Sequence, residues 1–266
     1  MFGPWLNNTD LLREKYVTAK PFEYVVIHNF FSKEYAEKVL SEFPDPDGSW
    51  WPYDNPFEQK FLFNNFSTPV MKELFEHLNS PSFTKIISDI TSILDLESDP
   101  HLHSAGLHAY PRNGKLDIHL DYTIHPISGK ERRTSLMIYM TKNWKKEWGG
   151  NLQLWDPDLS NSQELDIDLW NTAVLFKTSG DAYHGFPEPI TCPHGTFRKV
   201  MGLYYLSEPR EETLKNPRYR AELFPRPGHV IPDKLKKLYD IRRERRLEPS
   251  DFSDWPNWRS ECGLDK

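Results

Sequence analysis

A chain of 266 residues with 38% hydrophobic and 14% aromatic residues can bury a sizeable core and is too apolar to be disordered. Its formal net charge of −6 argues against general nucleic-acid binding. The two cysteines, Cys192 and Cys262, form no Cys-x-x-Cys pattern, which excludes a disulfide framework and a cysteine zinc site and predicts free thiols in a reducing compartment.

Residues 1–20 are mixed and polar and read as a loosely attached lead-in, without the basic and apolar regions of a secretory signal. No apolar run approaches the ~20 residues that cross a bilayer. The expectation is a cytoplasmic protein with no membrane partner. Phe22–His28 (FEYVVIH) predicts a strand. Ser32 then caps a helix whose stripe is Tyr35, Val39, Leu40 and Phe43. Residues 44–66 are dense in Pro, Asn and aromatics and predict an irregular packed loop, in which Trp50 and Trp51 either anchor the loop or line a substrate entrance. Thr68-Pro69 and Ser80-Pro81 are paired helix-start signals. The first helix carries Val70, Leu74 and Leu78, and the second Phe83, Ile86, Ile87, Ile90, Ile93 and Leu94, so both should cover a sheet. From His101 to Leu206 the pattern changes to short strands: 104–110, 116–121, 134–141, 151–155, 172–177 and 198–206. Strands without helical stripes between them suggest an antiparallel sandwich or jelly roll. After Pro209 the chain becomes charged, and 233–246 reads as a surface helix with Leu235, Leu238 and Tyr239 inward.

Side chains two apart on a strand share a face, so His119 and Asp121 are side by side, with Asp117 on the same face. With 39 acidic residues and ten histidines, about one His-x-Asp/Glu is expected by chance, and the pair alone is better read as a strand histidine bonded to a nearby acid. His184 follows a strong strand (AVLFKTS) and a glycine turn, and a jelly roll would fold it back onto the pair. Two imidazoles and one carboxylate can hold Fe(II) on one octahedral face and leave positions open. Arg198 opens the last strand, where a planar guanidinium can clamp a carboxylate in a way that Lys199 on the opposite face cannot. Tyr110 and Tyr139 lie on strands from which they can donate to the same acid or simply fill the core. His108 shares a face with Tyr110 and either lines the pocket or is a packed histidine. Arg132 and Arg133 either meet an acidic substrate or are solvated. His101, His103, His125 and His194 fall in turns, outside the expected site.

In order along the chain stand YPRNG from Tyr110, His119-Leu120-Asp121, LMIYMTKNW, GGNLQLW, AVLFKTS, His184 and Arg198. This ordered set resembles the iron(II)/2-oxoglutarate-dependent dioxygenases, in particular the prolyl 4-hydroxylase-like branch. The likeness runs from about Phe22 to Ser207 and is most specific from Tyr110 to Arg198. It implies an α+β, mainly β fold: a double-stranded β-helix (jelly roll) with supporting N-terminal helices and a C-terminal helical tail. The implied organisation is a lead-in (1–21), a dioxygenase domain (22–207) with helical support (22–100) and a jelly-roll core (101–207), and a charged extension (208–266).

The resemblance implies that His119, Asp121 and His184 ligate Fe(II), that Arg198 pairs with the distal carboxylate of 2-oxoglutarate aided by Tyr139, and that Tyr110 lies near the metal-side end of that co-substrate. Gly149-Gly150 matches a family turn with a backbone role. The loop between His184 and Arg198 is longer than in the tightest family members. The implied reaction consumes 2-oxoglutarate and dioxygen, hydroxylates an unactivated C–H bond, and releases succinate and CO2, with ascorbate admitted as a reductant. A prolyl residue of a protein is the expected substrate; a sugar or amino acid is the alternative. A nucleic-acid demethylase is disfavoured because the second arginine of that branch is replaced by Tyr204. An inactive jelly-roll binding module and a zinc hydrolase using the same triad are the readings from other classes.

Overall fold

The computed structural model describes residues 1–264. Its strands are β1 (Tyr24–His28), β2 (Trp51–Asn55), β3 (Glu58–Phe63), β4 (Glu97–Ser98), β5 (Gly106–Tyr110), β6 (Lys115–Leu120), β7 (Glu131–Met140), β8 (Gln153–Trp155), β9 (Ser162–Glu164), β10 (Trp170–Lys177), β11 (His184–Phe186), β12 (Arg198–Ser207) and β13 (Glu222–Leu223). They join one sheet whose path is β1-β10-β7-β12-β5-β3-β6-β11-β8-β9, with β2 on β3, β4 on β12 and β13 on β6. β7 pairs with β10 and β12 rather than with its sequence neighbour β6, and both pairings are antiparallel. Such non-sequential pairing is the jelly-roll signature, and the mainly β class agrees with the sequence reading.

Alternation along the long strands separates two cores. Leu136, Ile138 and Met140 of β7, Ala173 and Leu175 of β10, and Met201 and Leu203 of β12 point outward to one apolar cluster. There they meet α2 (Lys33–Glu42), α3 (Pro69–Leu78) and α4 (Pro81–Thr91) through Val39, Leu74, Phe83, Ile87 and Ile90. The intervening Tyr139, Val174, Phe176 and Val200 point inward to a second cluster. Ser32 caps α2 and Ser80 caps α4, each side chain accepting from a backbone N–H three residues on.

Four local expectations are corrected. Residues 44–66 are not an irregular loop: Asn55 folds the chain back by accepting from the Phe57 and Glu58 N–H groups, and the β2–β3 hairpin results. β3 then fills the gap between β5 and β6. The lead-in is bound rather than loose. Its helix α1 (Thr9–Thr18) buries Leu12 and Tyr16, while Trp5 is buried with Nε1–H donating to the Phe30 carbonyl at 2.7 Å. The α4 stripe ends early because Ser92 takes φ +61°, which leaves Leu94 91% exposed. Thr68 makes no cap bond, and its hydroxyl is buried without a partner.

The segment after Pro209 contains α5 (Glu211–Lys215), α6 (Asp233–Glu244) and α7 (Trp258–Glu261). Leu235, Leu238 and Tyr239 face inward as expected and join Phe252, Trp255 and Trp258 in a small core closed by Phe57 of the hairpin loop. The Thr123 and Ile124 N–H groups donate to the Arg218 carbonyl, and β13 lies against the end of β6.

Candidate metal and co-substrate site

His119 and His184 are direct partners across β6 and β11, with ring centroids 4.2 Å apart. Asp121 follows β6, and its two carboxylate oxygens lie 3.7 Å from His119 Nε2 and 3.6 Å from His184 Nε2. Among the described residues these three form the one group of His, Cys, Asp or Glu side chains whose ligand atoms all lie within 4.8 Å. His119 Nδ1 is 3.0 Å from the Asp117 carbonyl and His184 Nδ1 is 2.9 Å from the Ala182 carbonyl. Each Nδ1–H therefore donates to backbone, which turns the Nε2 lone pair inward, the tautomer a metal needs.

Charge supports the same state. Burial opposes ionisation of Asp121, but Arg132, then His184 and His119, hold its carboxyl far below the usual range. Arg132 Nη2 donates to Asp121 Oδ2 at 2.6 Å, and its guanidinium lies 3.3 Å from the centre of the Tyr204 ring. Burial, with His119 adding to it, pushes His184 down to about 4. A charged carboxylate beside a neutral imidazole is a ready donor set.

The strand is not regular here. His184 pairs with His119 while Phe186 pairs with Leu116, so β6 carries a bulge opposite Gly185. The bulge changes the phase of alternation: Leu116 and His119 both face the cavity, and Asp117 is thrown to the opposite side. Asp117 binds Lys115 Nζ at 2.7 Å and accepts from the Tyr239 hydroxyl at 3.2 Å. The expectation that it shares a face with His119 is thus corrected. A β-carbon at Gly185 would lie 2.8 Å from both the Leu116 and Asp117 carbonyl oxygens, so this position has room for no side chain.

Arg198 is 2% exposed, and its Nε finds no hydrogen-bond partner. Its guanidinium sits 4.4 Å from the Phe186 ring centre, 4.9 Å from Tyr139 and 5.1 Å from Tyr110. A buried guanidinium without a carboxylate is costly unless an anion completes it. Burial raises the Tyr139 hydroxyl, with Arg198 working against that rise, so Tyr139 is a neutral donor beside the cation. Gly150, at φ +85°, lets the chain pass over Arg198, whose Cδ would be 3.1 Å from any β-carbon placed there. A dicarboxylate fits this end and a metal fits the other.

One cavity of about 350 Å³ joins both ends and is lined by His119, Asp121, His184, Arg198, Tyr110 and Tyr139 together. All six sequence-predicted residues therefore meet. His108 lines it too, 3% exposed with neither ring nitrogen bonded, and burial, then Lys60, Arg198 and Arg132, pushes its pKa well down. His103, placed outside by its turn position, is on the cavity wall, whereas His125 is fully buried 3.3 Å from Asp99. Arg132 is buried on Asp121, and Arg133 turns away to the Ser207 hydroxyl. Sequence reasoning missed Tyr53, Glu58 and Lys60 of the hairpin and Arg220, Arg242 and Arg246 of the extension. The apolar run Phe61-Leu62-Phe63 was the one local strand signal in the hairpin; nothing local marked the three arginines.

Residues 105–207 match the family model of the 2OG-Fe(II) oxygenase superfamily. No curated protein matches the chain. Among solved structures, a Pseudomonas putida prolyl-4-hydroxylase superposes with a TM-score of 0.53 at 15% identity, over 74% of this chain and 100% of that one. A Trichoplax adhaerens prolyl hydroxylase, solved with a hypoxia inducible factor peptide fragment, gives 0.54 at 16% identity, over 77% and 94%. At these identities the two structures speak for the fold. The family match falls on the strands that carry the His-Asp-His group and Arg198, so residues 105–207 are similar to the 2OG-Fe(II) oxygenase superfamily and the surrounding fold is shared with these two structures.

Proposed function

We propose that His119, Asp121 and His184 ligate Fe(II), that Arg198 with Tyr139 holds the distal carboxylate of 2-oxoglutarate, and that Tyr110 flanks its metal-side end. The reaction is hydroxylation of an unactivated C–H bond, with a prolyl residue of a protein as substrate. The observation that carries the co-substrate assignment is the buried Arg198 guanidinium, its Nε without a hydrogen-bond partner, in the same cavity as the three donors. A peptide substrate draws support from the shared fold with the Trichoplax enzyme solved with a peptide.

When bound, Fe(II) and 2-oxoglutarate would let dioxygen act as the oxidant, one of its oxygen atoms going into succinate as CO2 leaves and the other into the substrate C–H bond. The chain's own share is positional. Arg132 fixes the Asp121 carboxylate and keeps it ionised, the Asp117 and Ala182 carbonyls set the two imidazoles, and Arg198 orients the dicarboxylate. The aromatic wall of Tyr110, Phe176 and Phe186 excludes water.

The test is succinate formation from 2-oxoglutarate by purified protein with Fe(II), ascorbate and oxygen, using peptide, protein and metabolite fractions as substrate sources. A product heavier by one oxygen atom on proline is expected, with iron content and turnover lost in His119→Ala and Asp121→Ala. Turnover on metabolites alone would replace the prolyl reading by a sugar or amino-acid hydroxylase. Tight 2-oxoglutarate binding without succinate from any source would make the protein a binding module.

A further inference from the structure

The cavity has a charge opposite to that of the chain. Lys60, Arg132, Arg198, Arg220, Arg242 and Arg246 line it against only Glu58 and Asp121, a surplus of four positive charges in a protein of net charge −6. Loading the site leaves the surplus unchanged, because the two positive charges of Fe(II) and the two negative charges of 2-oxoglutarate cancel. Two of the cations are accounted for inside the cavity: Arg132 pairs with Asp121 at 2.6 Å and Lys60 with Glu58 at 3.2 Å. Arg198 is assigned to the co-substrate. Arg220, Arg242 and Arg246 remain.

These three come from the extension and lie on the side of the cavity open to solvent. Arg242 is half-buried, and Arg246 and Arg220 are exposed. Arg220 spends one donor on the Glu244 carbonyl at 3.0 Å. Arg246 lies over the rings of Trp51 and Tyr53, at 4.6 and 4.4 Å from their centres, so its guanidinium is held in place with no carboxylate bonded to it. Trp51 is 55% exposed and Tyr219 is 57% exposed, and Tyr219 also lines the mouth. Deeper in, His108 offers two unbonded ring nitrogens from a fully enclosed position. Cations running from a half-buried to an open position, flanked by flat aromatic surface, suit an extended chain that crosses the mouth with one residue inside.

Resting on the prolyl reading above, we infer that the substrate is an acidic peptide segment, whose Asp or Glu residues beside the target are read by Arg242, Arg246 and Arg220 of the extension. Electrostatic steering into a positive cleft on an otherwise negative protein would also set the rate of encounter.

The test uses the full chain loaded with Fe(II) and 2-oxoglutarate under anaerobic conditions. Fluorescently tagged proline peptides with flanking Asp/Glu are compared with their Asn/Gln isosteres and with a phosphorylated small-molecule competitor. Acidic peptides should bind at least about tenfold more tightly at low salt, with the preference shrinking as ionic strength rises. In Arg242→Gln/Arg246→Gln the preference should collapse, while 2-oxoglutarate titration reports whether the cavity is still assembled. Equal affinity of acidic and amide peptides for the wild type overturns the inference, as does an acidic preference that persists in the double variant. Displacement by the phosphorylated small molecule, with no peptide bound, transfers the positive mouth to a small anion and also overturns it. Failure of succinate formation alone would sink the oxygenase reading of the site and leave the charge preference to be read independently.

Discussion

The helical layer before residue 100 and the segment after Pro209 both flank the sheet, by different physics. α2, α3 and α4 lie on the outward face and are held by apolar burial: Val39, Leu74, Phe83, Ile87 and Ile90 are all fully enclosed. The C-terminal segment instead reaches β6 and the residues that follow it through polar and backbone contacts. Arg218 Nε donates to the Asp121 carbonyl at 3.1 Å and Nη2 to the Ser179 carbonyl at 2.7 Å, tying the two chain segments that carry Asp121 and lead to His184. One region holds the scaffold up, and the other shapes the site. Substitutions should therefore separate stability from chemistry.

The largest loss of stability belongs to the helical layer. Phe83→Ala should cost about 4 kcal/mol through the cavity it leaves. Denaturant titration would show the shift, and 2-oxoglutarate affinity measured well below the midpoint should not change. Gly185→Ala comes next, at about 3 kcal/mol, since two carbonyl oxygens must move aside. Because β11 is pushed from β6, iron affinity should also fall more than ~10-fold, measured by metal competition. Arg218→Ala should cost only about 2 kcal/mol, from the two part-buried carbonyls it leaves without this donor. Its effect on iron retention should exceed that of Phe83→Ala, and the reverse order would break the contrast between the two regions.

pH gives a sharper handle on the joint between sheet and extension. Glu131, 1% exposed, accepts from Arg210 Nε at 3.1 Å, Arg210 N–H at 2.8 Å and Thr213 Oγ1 at 2.8 Å. Burial would raise its carboxyl, but these donors outweigh it and hold the pKa below the ordinary value. The folded value is depressed, so the stabilisation is present above the unfolded glutamate pKa of about 4.3 and is lost as pH falls through the folded one. Glu131→Gln should flatten the fall in unfolding midpoint below about pH 4.3; an unchanged acid limb would show that other carboxylates dominate. The smallest effect compares the two helix starts. Ser80→Ala should cost about 1 kcal/mol and Thr68→Ala only a few tenths, because Thr68 makes no cap bond.

What the sequence made legible follows the same division. Period-3.6 stripes located α3 and α4, and short apolar strand segments without helical stripes between them indicated the sheet that contains β7, β10 and β12. His119 and Asp121 stood out by their spacing of two on one strand face, and His184 by its place after the AVLFKTS strand and a glycine turn. Lys60 was hidden because WPYDNPFEQ looks like loop when taken alone; its pairing with β5 and β6 is a long-range fact. Asp117 was misplaced because a bulge breaks period two, and the glycine that permits the bulge lies on another strand. Arg220, Arg242 and Arg246 did not stand out from the charged segment after Pro209, since no local pattern reveals that a polar segment wraps back on the cavity.

β13 pairs Leu223 with His119 and Glu222 with Leu120, continuing the edge that β3 covers at Lys115 and Leu116. The last third of β6 would otherwise present open N–H and C=O groups beside apolar Ile118 and Leu120, a template on which a second chain could add. Two residues of an unpromising charged tail thus cover the end of β6 against pairing with a second chain. A chain ending at Pro209 would carry that sticky edge into solution and should aggregate in proportion to its concentration.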